Sequence, residues 1–466
     1  MVIRSLCFAT IKAFRFRAFY FLLCMPNLCN FAFMKISDYR SASQYLYSKH
    51  ALEMKLGLVH VRNLLKETGH PERHFPAIHI AGTNGKGSTA AMVESILRKA
   101  GYKTGLYTSP HLIDMRERIR IRGVPIPQER ILRFIQENHQ SIESTRVSFF
   151  ECLTAMAFRH FADERVDAAI LETGLGGRLD ATNTVKPVLT IITRISLDHT
   201  RILGRDVVTI AREKAGILKK GIRCVIGRQH WLVRRFLSEF GAVQHVPMRF
   251  VTGTIKGSRI QYREDGTTFH AVTKGHVWND LHVALPGTHQ VENALTALAA
   301  IEELRSLDWH IPDTAVYSGL DKVRWPARMD LLHRNPKILL DAAHNPLGAR
   351  SLARTIRENI RYSKLILLFG VLGDKDYRDM LRVLAPLADH VILTRPLSHR
   401  ALDPHALAAL PVLHGRKVDI ITNIQKAWQA ALDMAEKDDL VCGVGSIYLV
   451  GELLRIWKGR IRSDAN

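Results

Sequence analysis

The stretch from Ala77 to Gly101 constrains the fold most, because it joins a buried strand to a helix through a loop rich in glycine. Its first residues, 77–81, are apolar and partly β-branched, which predicts a buried strand. Residues 82–88 read GTNGKGS. Apolar residues then recur at helical spacing up to Gly101, where a helix-ending glycine is expected. The pattern predicts a strand, a tight loop and a helix, as in parallel α/β sheets.

The loop has the chemistry of a phosphate cradle. Glycines let backbone N–H groups crowd around an anion, the helix start adds positive potential, and Lys86 supplies a point charge. Ser88 or Thr89 offers a hydroxyl to a nucleotide-bound magnesium ion. The strict Walker pattern is not met, because Ile80 and Gly87 stand where it has glycine and serine or threonine. The alternative is a glycine-rich turn with a solvated lysine, but the flanking strand and helix favour a nucleotide site.

The composition is that of a soluble protein with more than one domain. The chain has 466 residues, of which 47% are hydrophobic and 24% are charged. This length predicts two or three domains. The six cysteines form no disulfide framework, so we expect free thiols and a cytoplasmic location.

The net charge of +22 indicates an anionic partner. Nucleic acid and polyanionic small substrates both suit such a charge. The sequence has no RNA-binding signature, no Cys/His zinc spacing and no basic low-complexity tail. We therefore expect a small anionic substrate and no nucleic-acid partner.

Residues 1–33 differ from the rest of the chain. They contain four basic residues and no acidic one, with an apolar run at 18–25. That run is too short to span a bilayer, so no membrane association is expected. A targeting-like segment is one interpretation, and a true start at Met34 is the one we favour. We assign 1–33 to a non-domain extension, 34–325 to a central ATP-binding domain and 326–466 to a C-terminal domain.

Polar side chains follow the next predicted strands. Glu172 ends the apolar run 166–171, and His199 follows the strand predicted at 188–192. Ser109 follows a further strand and lies on the same side as the phosphate loop. Because ligands collect at the carboxyl ends of parallel strands, these residues predict a magnesium site. Histidine is a less usual magnesium ligand, so His199 is the weaker part of this prediction.

The remaining pattern completes the predicted architecture. Residues 148–160 are helical and place Glu151, a carboxylate that needs a partner when buried, in an apolar segment. Short alternating strands at 249–285 predict a small antiparallel subsheet, and a helix is expected to open at Asn293. Residues 325–328 read as a hinge. Strands at 338–340, 364–369, 391–394 and 440–444 then predict a Rossmann-like C-terminal α/β domain.

Five separated stretches carry a family resemblance. They are GTNGKGS at 82–88, LETGLGGRLDATN at 171–183, LDH at 197–199, REKAGI at 212–217 and DAAHNP at 341–346. With these motifs the chain resembles the folylpolyglutamate synthase/dihydrofolate synthase family, the folate branch of the Mur ligases. The resemblance runs from about residue 45 to the C-terminus, includes the GVLGDKD loop at 370–376, and implies a Mur-ligase-like P-loop domain. Mur-type loops read GxxGKG[ST], which accounts for the departure from the Walker spacing.

The resemblance also implies roles for individual residues. The residues expected to bind ATP are Thr83, Asn84, Gly85, Lys86, Gly87, Ser88, Asn293, Arg328 and Asp341. Those expected to hold two magnesium ions are Ser109, Glu172 and His199. Lys214 matches a lysine that is carbamylated, and the residues expected in catalysis are Lys86, Lys214 and His344. The residues expected to meet the pterin are Ser148, Phe149, Phe150, Glu151, Leu179, Asp180 and Ala181.

The implied reaction is an ATP-dependent ligation of L-glutamate to dihydropteroate or to tetrahydrofolate polyglutamates. ATP would convert a carboxylate to an acyl phosphate, which the amino group of glutamate attacks. Peptidoglycan Mur ligases are a poorer match, because only about fifty residues separate Met34 from Gly82. A non-catalytic nucleotide-binding module is the other alternative. The sequence leaves open whether one or both pterin substrates are used, and we expect a monomer.

Overall fold

The computed structural model describes residues 36–49, 57–273 and 275–464, so the interpretations of segment 1–33 lie outside the described residues. In the first part of the chain the helices are α1 Tyr39–Ser48, α2 Val59–Glu67, α3 Lys86–Lys99, α4 Gln128–Thr145, α5 Phe149–Asp163, α6 Thr200–Leu203, α7 Val207–Ala215, α8 Trp231–Val243, α9 Thr288–Arg305 and α10 Asp313–Asp321. The strands are β1 Ala77–Ala81, β2 Thr104–Tyr107, β3 Ile119–Ile121, β4 Val124–Pro125, β5 Ala168–Glu172, β6 Pro187–Ile192, β7 Cys224–Ile226, β8 Met248–Phe250, β9 Lys256–Arg263, β10 Gly266–Val272 and β11 Val277–Val283.

The C-terminal part forms a second α/β unit. Its helices are α11 Pro346–Asn359, α12 Tyr377–Leu384, α13 Pro404–Ala408, α14 Ile424–Met434 and α15 Ile447–Asp464. Its strands are β12 Asp330–Arg334, β13 Lys337–Asp341, β14 Leu365–Phe369, β15 His390–Leu393, β16 Lys417–Ile420 and β17 Leu440–Val444.

A large sheet positions the phosphate loop. In the described residues its strand order is β4-β3-β2-β5-β1-β6-β7-β8. The strands from β2 to β8 in that order run parallel, and β3 and β4 are antiparallel additions at one edge. The central strand β1 is buried along its whole length, as its apolar composition predicts. The loop after β1 therefore opens at the carboxyl edge of the sheet, beside the ends of β5 and β6.

The predicted antiparallel subsheet is present as β11-β10-β9. Its inward residues, including Phe269, Trp278 and Leu281, pack in the same apolar cluster as residues of α3 and α9. The turn between β9 and β10 lies at 264–265. Helix α9 begins at Thr288 directly after Gly287 (φ 111°), so the prediction that a helix opens at Asn293 was wrong. Asn293 lies in its second turn instead.

The second sheet has the order β12-β13-β17-β14-β15-β16. All its pairings are parallel except that of β12 with β13. The buried faces of β13, β14 and β17 are rich in leucine, isoleucine and valine, which suits a sheet covered by helices on both sides. The four strands predicted here are present, whereas β12 and β16 were not predicted.

Cys152, Cys224 and Cys442 are buried free thiols, as expected. Among the described helices, none combines the length and the apolar character that a membrane crossing requires.

Candidate active site

The phosphate loop is shaped by close backbone contacts. Gly85 caps the start of α3 with φ 88°, and a Cβ there would lie 2.2 Å from Oδ1 of Asn293. A Cβ on Gly87 would lie 3.0 Å from the indole ring of Trp325. The backbone N–H groups of Thr83 and Asn84 donate to the carbonyl oxygen of Arg194, at 2.9 and 3.1 Å. These bonds hold the loop to the neighbouring strand end. Like those of any helix, the first N–H groups of α3 have no intrahelical acceptors, so they are available to an anion.

The side chains of Lys86 and Glu172 form an ion pair at the phosphate loop. The Nζ atom of Lys86 lies 3.9 Å from Oε1 of Glu172, and it donates to the carbonyl oxygen of Thr83 at 3.3 Å. The other oxygen of Glu172, Oε2, accepts the backbone N–H of Ser109 at 3.2 Å. Burial raises the pKa of Glu172, whereas the charge of Lys86 opposes that rise. The structure thus brings three residues predicted from separate strands to one edge of the sheet.

This arrangement fits a magnesium ion. Oε1 of Glu172 lies at ion-pair distance from Nζ of Lys86, 3.9 Å, which is too long for a hydrogen bond. This buried carboxylate oxygen therefore faces the phosphate loop without a hydrogen-bond donor among the described residues. Carboxylate and hydroxyl oxygens, as on Glu172 and Ser109, are ligands that magnesium prefers. In the described part of the chain, no three side chains of the types His, Cys, Asp and Glu cluster as a ready metal cage.

Lys214 is buried beside the loop. Its Nζ atom donates to the carbonyl oxygen of Gly82 at 2.6 Å, and the side chain is almost fully shielded from solvent. Burial lowers the pKa of Lys214 to about 7, and the charge of Lys86 acts in the same direction. Burial therefore favours the neutral amine form of Lys214.

A second group of charged side chains makes contacts between the two α/β units. The carboxylate of Asp198 contacts Nζ of Lys375 at 2.8 Å and Nε2 of His344 at 3.5 Å. Nε2 of His199 lies 3.3 Å from the same lysine. Although burial raises it, the pKa of Asp198 is held well below its usual range by the His344 hydrogen bond and by the charges of His344, Lys375 and His199. Burial lowers the pKa of His199 to about 4.

Two of these residues were not among the predicted site residues. Asp198 and Lys375 lie in the LDH and GVLGDKD segments, but no role was predicted for either residue. Asn345 joins the same group, because its side chain donates to Oδ1 of Asn84 at 3.2 Å and to Asp198 at 3.4 Å. The amide of Asn84 donates in return to Oδ1 of Asn345 at 3.2 Å. The phosphate loop is thereby linked directly to the C-terminal unit.

Arg328 and Asp341 also lie at this junction. Asp341 accepts the backbone N–H groups of Met329 and Ala343, both at 2.8 Å, which fixes the start of the C-terminal unit. The guanidinium of Arg328 lies close enough to Glu172 to lower the pKa of that carboxyl, although burial outweighs it. Asn293 donates its side-chain amide to Gln290 at 2.9 Å and sits over Gly85.

Two Mur ligase family models match the chain. The Mur ligase middle domain matches residues 80–301, and the Mur ligase glutamate ligase domain matches residues 327–447. A Bacillus subtilis protein named dihydrofolate synthase/folylpolyglutamate synthase is 36% identical over 362 residues, which are 75% of this chain and 83% of that protein. The chain belongs to the dihydrofolate synthase/folylpolyglutamate synthase family.

Solved structures give the same result. The Mycobacterium tuberculosis folylpolyglutamate synthase complexed with ADP and AMPPCP has a TM-score of 0.82 and 34% identity, covering 90% of this chain and 99% of that chain. The Escherichia coli protein FolC in complex with DHPP and ADP has a TM-score of 0.81 and 29% identity, covering 91% and 98%. The predicted fold class and the predicted ligase family are both confirmed, and this chain is a ligase of the Mur type.

In this ligase the predicted substrate residues at the start of α5 have structural partners of their own. Ser148 and Glu151 form a capping box, in which Oε2 of Glu151 accepts both the N–H and the hydroxyl of Ser148 at 2.8 Å. This box partners Oε2 of Glu151, whereas the buried Oε1 has no hydrogen-bond partner among the described residues. The ring of Phe149 stacks on Tyr47, with centroids 5.4 Å apart, and Arg118 lies 5.2 Å from its centre.

The second predicted substrate segment of the ligase is built around Asp180. Its carboxylate accepts the N–H of Leu175 at 2.8 Å and the hydroxyl of Thr182 at 2.6 Å. It also accepts the N–H of Thr182 at 3.0 Å, which caps a short 3-10 helix that begins at Ala181. Nε2 of His79, on β1, contacts the same hydroxyl at 2.8 Å. Phe150 closes against Gly174, where a Cβ would lie 2.5 Å from the ring. Leu179 is half-buried at the rim of this segment.

Proposed function

We propose that this chain joins L-glutamate to pterin carboxylates at the expense of ATP, both forming dihydrofolate from dihydropteroate and extending the glutamate tail of tetrahydrofolate. The relatives named above support both activities, since the Bacillus subtilis protein carries both names. A relative from Lacticaseibacillus casei, 30% identical, is named folylpolyglutamate synthase alone, so a monofunctional enzyme is the second candidate.

The observation that carries the proposal is the convergence of the two α/β units on the phosphate loop. The side chains of Glu172 and Lys214 lie beside the phosphate loop and its residue Lys86. From the C-terminal unit, Asn345 forms hydrogen bonds with Asn84 of the same loop. A nucleotide held there has its phosphates between the two units. Such a closed site excludes the water that would hydrolyse an activated carboxylate.

The reaction follows from the charges. A carboxylate is a poor electrophile, so one of its oxygens attacks the γ-phosphorus of ATP and ADP leaves. The amino group of glutamate, having lost a proton, then attacks the acyl carbon. Inorganic phosphate departs with the former carboxylate oxygen, and the nitrogen loses a second proton as the amide forms. We assign Lys86 and Arg328 to neutralising the charge on the transferring phosphoryl group. Thr83, Asn84, Gly85, Gly87 and Ser88 would cradle the phosphates, with Asn293 and Asp341 shaping the nucleotide site.

Glu172 and Ser109 are the residues we expect to hold magnesium, with His199 as a ligand for a second ion. Bound magnesium would supply positive charge to the phosphate oxygens. His199 fits this role less well than Glu172, because its Nε2 faces the ammonium group of Lys375. His344 we place beside the attacking amino group, since it reaches into the junction from the C-terminal unit.

We further propose that Lys214 is carbamylated in the active enzyme. Carbon dioxide reacts with a neutral amine, and burial favours that form of Lys214. A carbamate would replace a cation next to Lys86 with an anion that has hard oxygens. We expect the enzyme to act as a cytoplasmic monomer, with the pterin near Phe149 and Asp180.

The test is glutamate-dependent release of ADP, measured side by side with dihydropteroate and with tetrahydrofolate. Release with both pterins is expected, and the Lys86→Ala variant should be slower by about 10²–10³-fold. Release with tetrahydrofolate alone would establish the monofunctional candidate. Release with neither pterin, or independent of glutamate, would refute the proposed function.

A further inference from the structure

The C-terminal helix α15 touches the loop that carries Ser109. A Cβ on Gly451 would lie 2.1 Å from the carbonyl oxygen of Leu112 and 3.0 Å from its carbonyl carbon. Both are backbone atoms, so no side-chain rotation can relieve the overlap. The helix therefore reaches this position only because residue 451 has no side chain.

Two further contacts hold the loop to the helix. Nη2 of Arg455, one turn beyond Gly451, donates to the carbonyl oxygen of Ile113 at 3.2 Å. The side chains of Leu112 and Ile113 pack against the apolar cluster of the C-terminal unit, which includes Leu453 and Leu454 of α15. The loop is thus docked on the C-terminal unit although it belongs to the first sheet.

Hydrogen bonds from backbone N–H groups to carboxylates hold the loop in place. The carboxylate of Glu117 accepts three successive backbone N–H groups, those of Leu112, Ile113 and Asp114, at 2.9, 3.1 and 3.0 Å. At its other end the N–H of Ser109 donates to Glu172 at 3.2 Å. The segment from Ser109 to Glu117 therefore runs as one braced piece from the buried carboxylate to α15.

We propose that Gly451 and Arg455 are positioning residues, which set Ser109 against Glu172 by docking the 109–117 loop on the C-terminal helix. Neither residue touches the phosphate loop in this structure. They act through the loop backbone, so that the catalytic edge of the first sheet is completed only when the C-terminal unit is in place. The kinetic part of this proposal rests on the proposed function, whereas the docking itself does not.

Helix α15 offers a matched control for the test. Gly459 lies in the same helix, and a Cβ there would meet nothing within 4 Å. Gly451→Ala and Gly459→Ala therefore gain the same helix propensity, and only the first creates an overlap. We expect Gly451→Ala to lower kcat by about 10- to 100-fold, because a displacement near 1 Å at a reacting site has effects of that size. The KM for ATP should change little, and Gly459→Ala should keep wild-type kinetics.

Hydrogen exchange measures the docking without any assay of activity. The N–H groups of residues 112–114 should exchange faster in Gly451→Ala, and also in Arg455→Met, than in the wild type or in Gly459→Ala. If Gly451→Ala does not fold, Arg455→Met decides, because it removes the hydrogen bond to Ile113 and leaves the close approach intact. Unchanged exchange in the folded variants, or equal kcat in Gly451→Ala and Gly459→Ala, would overturn the proposal. A wild type that shows protected N–H groups but no ligase activity would refute the proposed function alone.

Discussion

The burial, the hydrogen bond and the lowered pKa of Lys214 all bear on the chemistry of the site. It is buried, it donates to the carbonyl oxygen of Gly82 at 2.6 Å, and burial brings its pKa to about 7. As an ammonium group it would oppose binding of a metal ion, whereas a carbamate would favour it. The neutral amine that reacts with carbon dioxide becomes more abundant as the pH rises through 7, so higher pH and added bicarbonate should both promote the modification.

We predict that Lys214→Ala loses nearly all ligase activity and regains part of it when a short carboxylic acid is added. The acid would occupy the space of the missing carbamate and restore its negative charge. Lys219→Ala serves as the control, because Lys219 is bonded to Asn183 instead, and its variant should not respond to added acid. A fully active Lys214→Ala enzyme, or an unmodified Lys214 side chain in well-ordered density of the enzyme with metal and nucleotide bound, would rule the carbamate out.

The start of helix α5 combines a structural role with a predicted role in substrate binding. Its capping box satisfies N–H groups at the helix start and pairs the buried Glu151 with Ser148. The sequence had indicated Glu151 as a contact because a buried carboxylate needs a partner. That partner, Ser148, lies three residues away and satisfies only Oε2, so the buried Oε1 is the carboxylate oxygen left for a ligand.

We predict that Ser148→Ala lowers the free energy of unfolding by about 1 kcal/mol, the usual value of such a cap. If Ser148 also meets the pterin, the KM for the pterin should rise in the same variant. Asn423→Ala is the matched control, because Asn423 caps α14 by accepting the N–H of Lys426 at 2.9 Å. It should lower stability to a similar degree and leave the KM unchanged. An unchanged KM in both variants would reduce Ser148 to a helix cap.

Across the whole molecule, the features that could be predicted from the sequence are those that depend on local residue patterns. Apolar strands, the glycine loop and helical periodicity gave the parallel sheet, the antiparallel subsheet and the C-terminal α/β unit. The short strands β7, β8 and β16, of three or four residues, carry too little periodicity to be seen. The roles of Asp198 and Lys375 were not predicted, because the two residues lie far apart in sequence and meet only when the two units dock. The domain boundaries at 325 and 326 stay a prediction.

We propose that ATP activates the pterin carboxylate as an acyl phosphate. Dihydropteroate labelled with ¹⁸O in its carboxylate, incubated with ATP and L-glutamate and analysed by mass spectrometry, tests this step. We expect one labelled oxygen to leave in the inorganic phosphate and the other to stay in the new amide of dihydrofolate. Lys86→Ala should form little of either product. Dihydrofolate formed together with unlabelled phosphate would contradict the acyl phosphate mechanism.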